Sequence, residues 1–365
     1  MENTAPNSKQ NTNIYKKKIR SKIYNRYNWS SLVVLLQIGA TTLLVSALEI
    51  AAIILIAAKM SMDSGAPITL VAIMSEVNKY ALAMAGVSYV IVNITAALLG
   101  MKLSKTGRIR NFIKKPQMSP MWVVVAVVAC LGVSSLDSLI MRVLSFFFES
   151  SHDALDLILG SGIYSENIII KIISISYIAL LGPITEELLM RGTVLPMSSH
   201  VSPTFGMFVS ALMFGLMHGN VTQLFNAFLL GLLMAYITLK SRSLIPAVIA
   251  HVLNNSSAVI VEYATDGLDP ERITTINNIV DGSIAVLGII ALVFLLRKFR
   301  MIDEVKDMPV INKPVTDEEL AMVSDSNSRV SVTIKPFLGS WALWMVVAYC
   351  AFSSVYMILI GNTLG

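Results

Sequence analysis

The chain has 365 residues, of which 55% are hydrophobic and only 14% charged. A soluble domain carries ~25% charged residues, so an ordinary water-soluble globule is excluded. The two cysteines, Cys130 and Cys350, lie in apolar runs and give neither a disulfide framework nor a Cys-based metal site. The net charge of +5 gathers in loops between apolar runs, which is a topology signal and not a nucleic-acid surface.

Repeated apolar runs of ~20 residues predict an all-α, polytopic transmembrane helical bundle of eight to nine spans, with a cytoplasmic amino terminus. Residues 1–28 carry seven Lys or Arg against one acid and read as a disordered, basic cytoplasmic tail. The apolar run that follows, Leu32 to Ala58, is far longer than the ~7–15 residues of a signal-peptide core. It is therefore a first span, anchored by Tyr24, Tyr27 and Trp29, and Glu49 within it reads as a structural carboxylate. A second span covers about Ala81 to Met101, and the loop after it is basic throughout. Residues 29–118 thus form a two-span amino-terminal unit.

Trp122 opens a third span reaching about Leu139, with Asp137 and Arg142 as an expected interfacial pair. Residues 149–166 are acidic and read as an outer loop. The fourth span covers about Ile168 to Leu195. Ser202-Pro203 signals the start of the fifth, which runs to His218. The sixth runs from Val221 to Leu239, and the close join between five and six leaves merging or re-entrance open. The seventh covers about Ser243 to Val261 and the eighth about Ile276 to Leu296. Residues 119–300 make up the membrane core, 301–336 a flexible polar loop, and 337–365 a last span.

Three polar pairs at helical spacing interrupt these spans. Glu187 and Arg191 stand at i, i+4 in the favourable order, acid before base. Glu186 points about 100° away from Glu187 and has no local partner, which suits a general base. Phe214 and His218 form the second pair, and His251 and Asn255 the third. At ~1.5 Å of rise per residue, Glu186, His218, His251 and Asn255 all reach the middle of the bilayer from one side. A charge at that depth costs several kcal/mol unless paired, and marks function by default. The other two histidines, His152 and His200, fall in predicted loops.

The ordered motifs EExxxR (Glu186 to Arg191), FxxxH (Phe214 to His218) and HxxxN (His251 to Asn255) resemble the CAAX protease and bacteriocin-processing family of intramembrane endopeptidases, over roughly residues 120–296. The resemblance implies that Glu186 activates the attacking water with help from His218. It implies that His251 and Asn255 stabilise the oxyanion, while Glu187, Arg191 and Phe214 organise the site. No nucleophilic Ser or Cys is needed.

Two other readings stand beside this one. Glu186, His218 and His251 supply enough ligands for a zinc-dependent protease, although no HExxH is present. A membrane scaffold or self-immunity protein would bind a partner without cutting it. A proton-coupled transporter is disfavoured by the absence of repeat symmetry. The expected partners are the lipid bilayer and a peptide or protein substrate with an amphipathic, lipidated or leader segment, with no cofactor and no nucleic acid. The expected location is a prokaryotic plasma membrane.

Overall fold

In the computed structural model, residues 5–63, 69–105, 109–111, 113–299, 315–323 and 329–364 are described, and no strand occurs among them. Among the described residues eight helices are long and apolar enough to cross a membrane, so the protein is a multi-pass integral membrane protein.

The basic tail is helical, contrary to expectation. Helix α1 (Ala5–Asp63) is a single 59-residue element, about 89 Å long at 1.5 Å per residue. The reason is legible once seen. Ile19, Ile23 and Tyr27, at i, i+4 and i+8, are 2%, 1% and 1% exposed, an apolar stripe threaded through the lysines and arginines. That stripe packs towards α12 (Asp317–Val323) and α13 (Arg329–Leu338). The Tyr27 and Phe337 rings meet edge-on at 5.9 Å. Parts of the predicted 301–336 loop are therefore ordered, while 301–314 and 324–328 lie outside the described residues. Helix α12 starts with a capping box. The Thr316 N–H donates to Glu319 Oε2 at 3.0 Å, and the Glu319 N–H to Thr316 Oγ1 at 3.1 Å.

A short helix absent from the sequence reading, α2 (Leu70–Asn78), precedes α3 (Ala81–Ser104). Thr69 caps α2 through its hydroxyl. Helix α4 (Pro120–Ile163) continues far beyond the expected end at Leu139 and replaces most of the predicted outer loop. The side chains of Glu149, His152, Asp153 and Asp156 lie outside the described residues. Arg142 pairs with Asp281 on α11, not with Asp137, because α4 lies against α11 (Pro270–Lys298) along much of its length.

The fourth span is one interrupted helix built from α5 (Ile168–Ser176), α6 (Gly182–Leu189) and α7 (Leu195–Ser198). His200, just beyond it, is buried, and its Nδ1 donates to the Met197 carbonyl at 2.9 Å. Helix α8 (Pro203–Met217) has only 15 residues, about 22 Å of rise, short of a ~30 Å hydrocarbon core. It turns back through 218–220 into α9 (Val221–Ser241), so the predicted fifth span is a short arm whose tip stays within the bundle. Helix α10 (Ile245–Thr265) and α14 (Trp341–Leu364) complete the set.

Helices α4 and α11 touch backbone to backbone. A Cβ on Gly132 would lie 2.2 Å from the Gly288 Cα, and one on Gly288 would lie 2.2 Å from the Gly132 Cα. Small residues permit such an approach in membranes. Gly288→Val is expected to lower stability by about 1–3 kcal/mol, the usual cost of overpacking. Thermal unfolding in detergent measures it, and Gly282→Val, where nothing lies within 4 Å, is the control.

Candidate active site

The fourth span carries two π-helical segments, Tyr177–Leu181 and Met190–Val194. In each, an N–H reaches back five residues. Gly182 N–H donates to Tyr177 O, and Leu195 N–H to Met190 O. Each segment is followed by a proline one residue later, Pro183 and Pro196. Proline has no N–H and crowds the carbonyl four residues back, so the ladder slips by one residue. Such bulges concentrate at functional sites. The first leaves the Ile178 carbonyl without an intrahelical donor, since Gly182 N–H is committed and Pro183 has none. Asn255 Nδ2 supplies that hydrogen bond from α10 at 3.1 Å. Ser256 Oγ reaches the neighbouring Ala179 carbonyl at 3.5 Å.

Between the bulges, α6 presents the adjacent carboxylates in two environments. Glu187 is fully buried. Its Oε1 accepts from Arg191 at 2.9 Å and from His251 Nδ1 at 3.0 Å. Arg191, also 0% exposed, donates a second bond to the Gly231 carbonyl at 3.0 Å and lies 4.7 Å from the centre of the Phe214 ring. The expected i, i+4 pair is thus present and sealed by carboxylate, carbonyl and aromatic face together.

Glu186 is different. Its side chain keeps 10% exposure and, among the described residues, forms no ion pair with Arg or Lys. Its Oε2 faces His251 Nε2 at 3.6 Å. With Nδ1 engaged by Glu187, Nε2 is the ring atom turned towards Glu186. Two atoms that far apart can both reach one water at ~2.8 Å. Tyr89 on α3, which sequence reasoning missed, lies beside Glu186, with its hydroxyl 3.7 Å from Met217 Sδ. Asn93 is fully buried and donates to Thr185 Oγ1 at 3.3 Å. Polar residues at i, i+4 on α3, Tyr89 and Asn93, were the available signal.

His218 ends α8, with Nδ1 against the Phe214 carbonyl at 2.8 Å. A carbonyl only accepts, so Nδ1 carries the hydrogen and Nε2 keeps its lone pair. Phe214 touches both imidazoles. Its ring meets the His218 ring edge-on at 5.0 Å and the His251 ring at 5.6 Å, which spaces the two imidazoles. The chain turns at Gly219, with φ +63°, a conformation glycine adopts at no steric cost. That turn is backed by α14, since a Cβ there would meet the Tyr349 hydroxyl at 2.9 Å.

Glu186, His218 and His251 are not drawn together as a ligand shell. Among the described residues no three His, Cys, Asp or Glu side chains are gathered in that way. Asn255 stands one turn beyond His251. Its Oδ1 accepts from Asn254 at 3.3 Å, and Asn254 lines a separate polar cavity of about 530 Å³ between α4, α10 and α11.

Residues 168–257 match the family model described as type II CAAX prenyl endopeptidase Rce1-like. Over that segment the chain is similar to the CAAX protease and bacteriocin-processing family. The match contains all seven residues singled out by the sequence motifs, and the family is one of intramembrane endopeptidases. It covers about a quarter of the chain, so α1, α3 and α14, which carry or buttress parts of the site, lie outside it. No curated protein and no solved structure matches the chain.

The sealed pair makes a stability prediction. Arg191→Met leaves Glu187 buried without its cation and is expected to cost about 3–5 kcal/mol. The double variant Glu187→Gln with Arg191→Met removes both charges and is expected to recover much of that loss. Thermal unfolding of the two purified variants checks the order.

Proposed function

We propose that the protein is an endopeptidase that hydrolyses a membrane-associated peptide by glutamate-activated water. The observation that carries this reading is the contrast between neighbours. Glu187 is sealed and shared by two donors, while Glu186 retains exposure and faces an imidazole at 3.6 Å. A scaffold gains nothing from keeping that carboxylate without an Arg or Lys partner in a low-dielectric interior, where it is costly.

In the proposed reaction, Glu186 takes a proton from water as the water oxygen bonds to the scissile carbonyl carbon. His218 Nε2 helps hold that water. The charge that develops on the carbonyl oxygen is met by the remaining N–H of the Asn255 amide and by His251, whose Nε2 donates in the imidazolium form, as preorganised donors require. The C–N bond then breaks, and the proton on Glu186 passes to the leaving nitrogen. One water is consumed, and the reaction is written with no step through a metal. The substrate class proposed is a peptide with an amphipathic, lipidated or leader segment, cut in a prokaryotic plasma membrane.

Glu186→Gln is expected to abolish peptide cleavage while the protein still inserts and keeps its thermal midpoint. Cleavage or biological activity unchanged in that variant points to the scaffold reading. Asn255→Ala is expected to lower turnover ~10²-fold, as for one oxyanion donor. Undiminished turnover in metal-free protein is expected, and dependence on added zinc would overturn the metal-free scheme. Tyr89→Phe removes a hydroxyl beside Glu186 and is expected to lower turnover with KM little changed.

A further inference from the structure

We propose that the end of the bundle near Arg26 holds a binding site for the phosphate headgroup of an anionic lipid. A cavity of about 360 Å³ opens there between α1, α3 and the end of α7. Among the described residues its cationic lining residues are Lys22, Arg26 and Lys105, and no acidic residue lines it. Lys22 is balanced in part by Glu319, 3.3 Å away and partly exposed, a weak contact in such a setting. Arg26 bonds through Nη1 to the Ser104 carbonyl at 2.8 Å and forms no ion pair among the described residues. Lys105 takes a left-handed backbone, φ +56°, where a side chain is uncommon and glycine or asparagine more usual. With Lys22 only partly countered and Arg26 held by a carbonyl and not by a carboxylate, the cavity keeps positive charge, which suits a phosphate.

The mouth says which phosphate. Trp29 and Leu103 line the same cavity and are 43% and 65% exposed. A charged recess with an apolar lip fits a molecule that has a phosphate head and hydrocarbon tails. Tryptophan settles at the headgroup level of a bilayer, and basic pockets between helices at that level bind acidic headgroups. Free phosphate would use the recess and ignore the lip.

The recess also touches the candidate active-site helix. Met197 and Gly100 form part of its lining, and Thr193, in the second π segment, donates to the Ala97 carbonyl of α3 at 3.1 Å. A headgroup seated here bridges α1 and α3 beside the inner end of the helix that carries Glu186.

The test uses the full chain in nanodiscs of phosphatidylcholine with or without phosphatidylglycerol, read by native mass spectrometry of retained lipid. Wild type is expected to retain phosphatidylglycerol. Arg26→Gln with Lys105→Gln is expected to hold it roughly 30-fold more weakly, from about 1 kcal/mol per basic residue near an anionic surface. Arg26→Lys with Lys105→Arg keeps both charges and is expected to retain it, which separates charge from folding. Equal retention by the neutralised variant, or by wild type in phosphatidylcholine alone, overturns the site. Displacement of the lipid by millimolar inorganic phosphate overturns its assignment to a lipid.

Discussion

One oxygen atom organises the membrane core. Glu187 Oε1 accepts hydrogen bonds from Arg191 and from His251. At that depth a lone carboxylate or guanidinium is costly, so the fold has to bring its partners to it. Arg191 arrives from the same helix, His251 from α10, the Gly231 carbonyl from α9, and the Phe214 face from α8. Four segments converge because a charge has to be neutralised, and the spacing of the two histidines follows from that convergence.

The division of labour between adjacent carboxylates follows too. On a helix, consecutive side chains diverge by about 100°, so only one of the two can share the guanidinium. The other is left facing the remaining ring nitrogen of the same imidazole, with Tyr89 beside it. Helices outside the family match complete this arrangement. Helix α3 brings Tyr89 and Asn93, and α14 backs the turn after His218. The motif residues are thus held in place by parts of the chain that carry no motif.

Much of this was readable in the residues. The Glu187–Arg191 pair followed from i, i+4 spacing, and the bundle from the apolar runs. What was missed has physical causes. The charge of the amino-terminal segment masks the buried stripe of Ile19, Ile23 and Tyr27. The Asp137–Arg142 pair was chosen by proximity in sequence, whereas the long contact between α4 and α11 supplies Asp281 instead. Helix α8 was counted as a full span because its composition is apolar, although its length falls short. Asn255 was read for its chemistry alone, and its bond to the Ile178 carbonyl depends on a helix irregularity that periodicity does not reveal. Pro183 and Pro196 were the clue to it.

Those two prolines have a wider consequence. Each slipped ladder inserts one residue into the turn, so the angular phase of the eight residues in α6 is uncoupled from that of α5 and α7. The two flanks can face lipid or neighbouring helices as their own composition demands, while the middle is aimed by the groups that grip it. A single-residue deletion inside either slipped turn would leave a smooth helix and swing both carboxylates away from their partners.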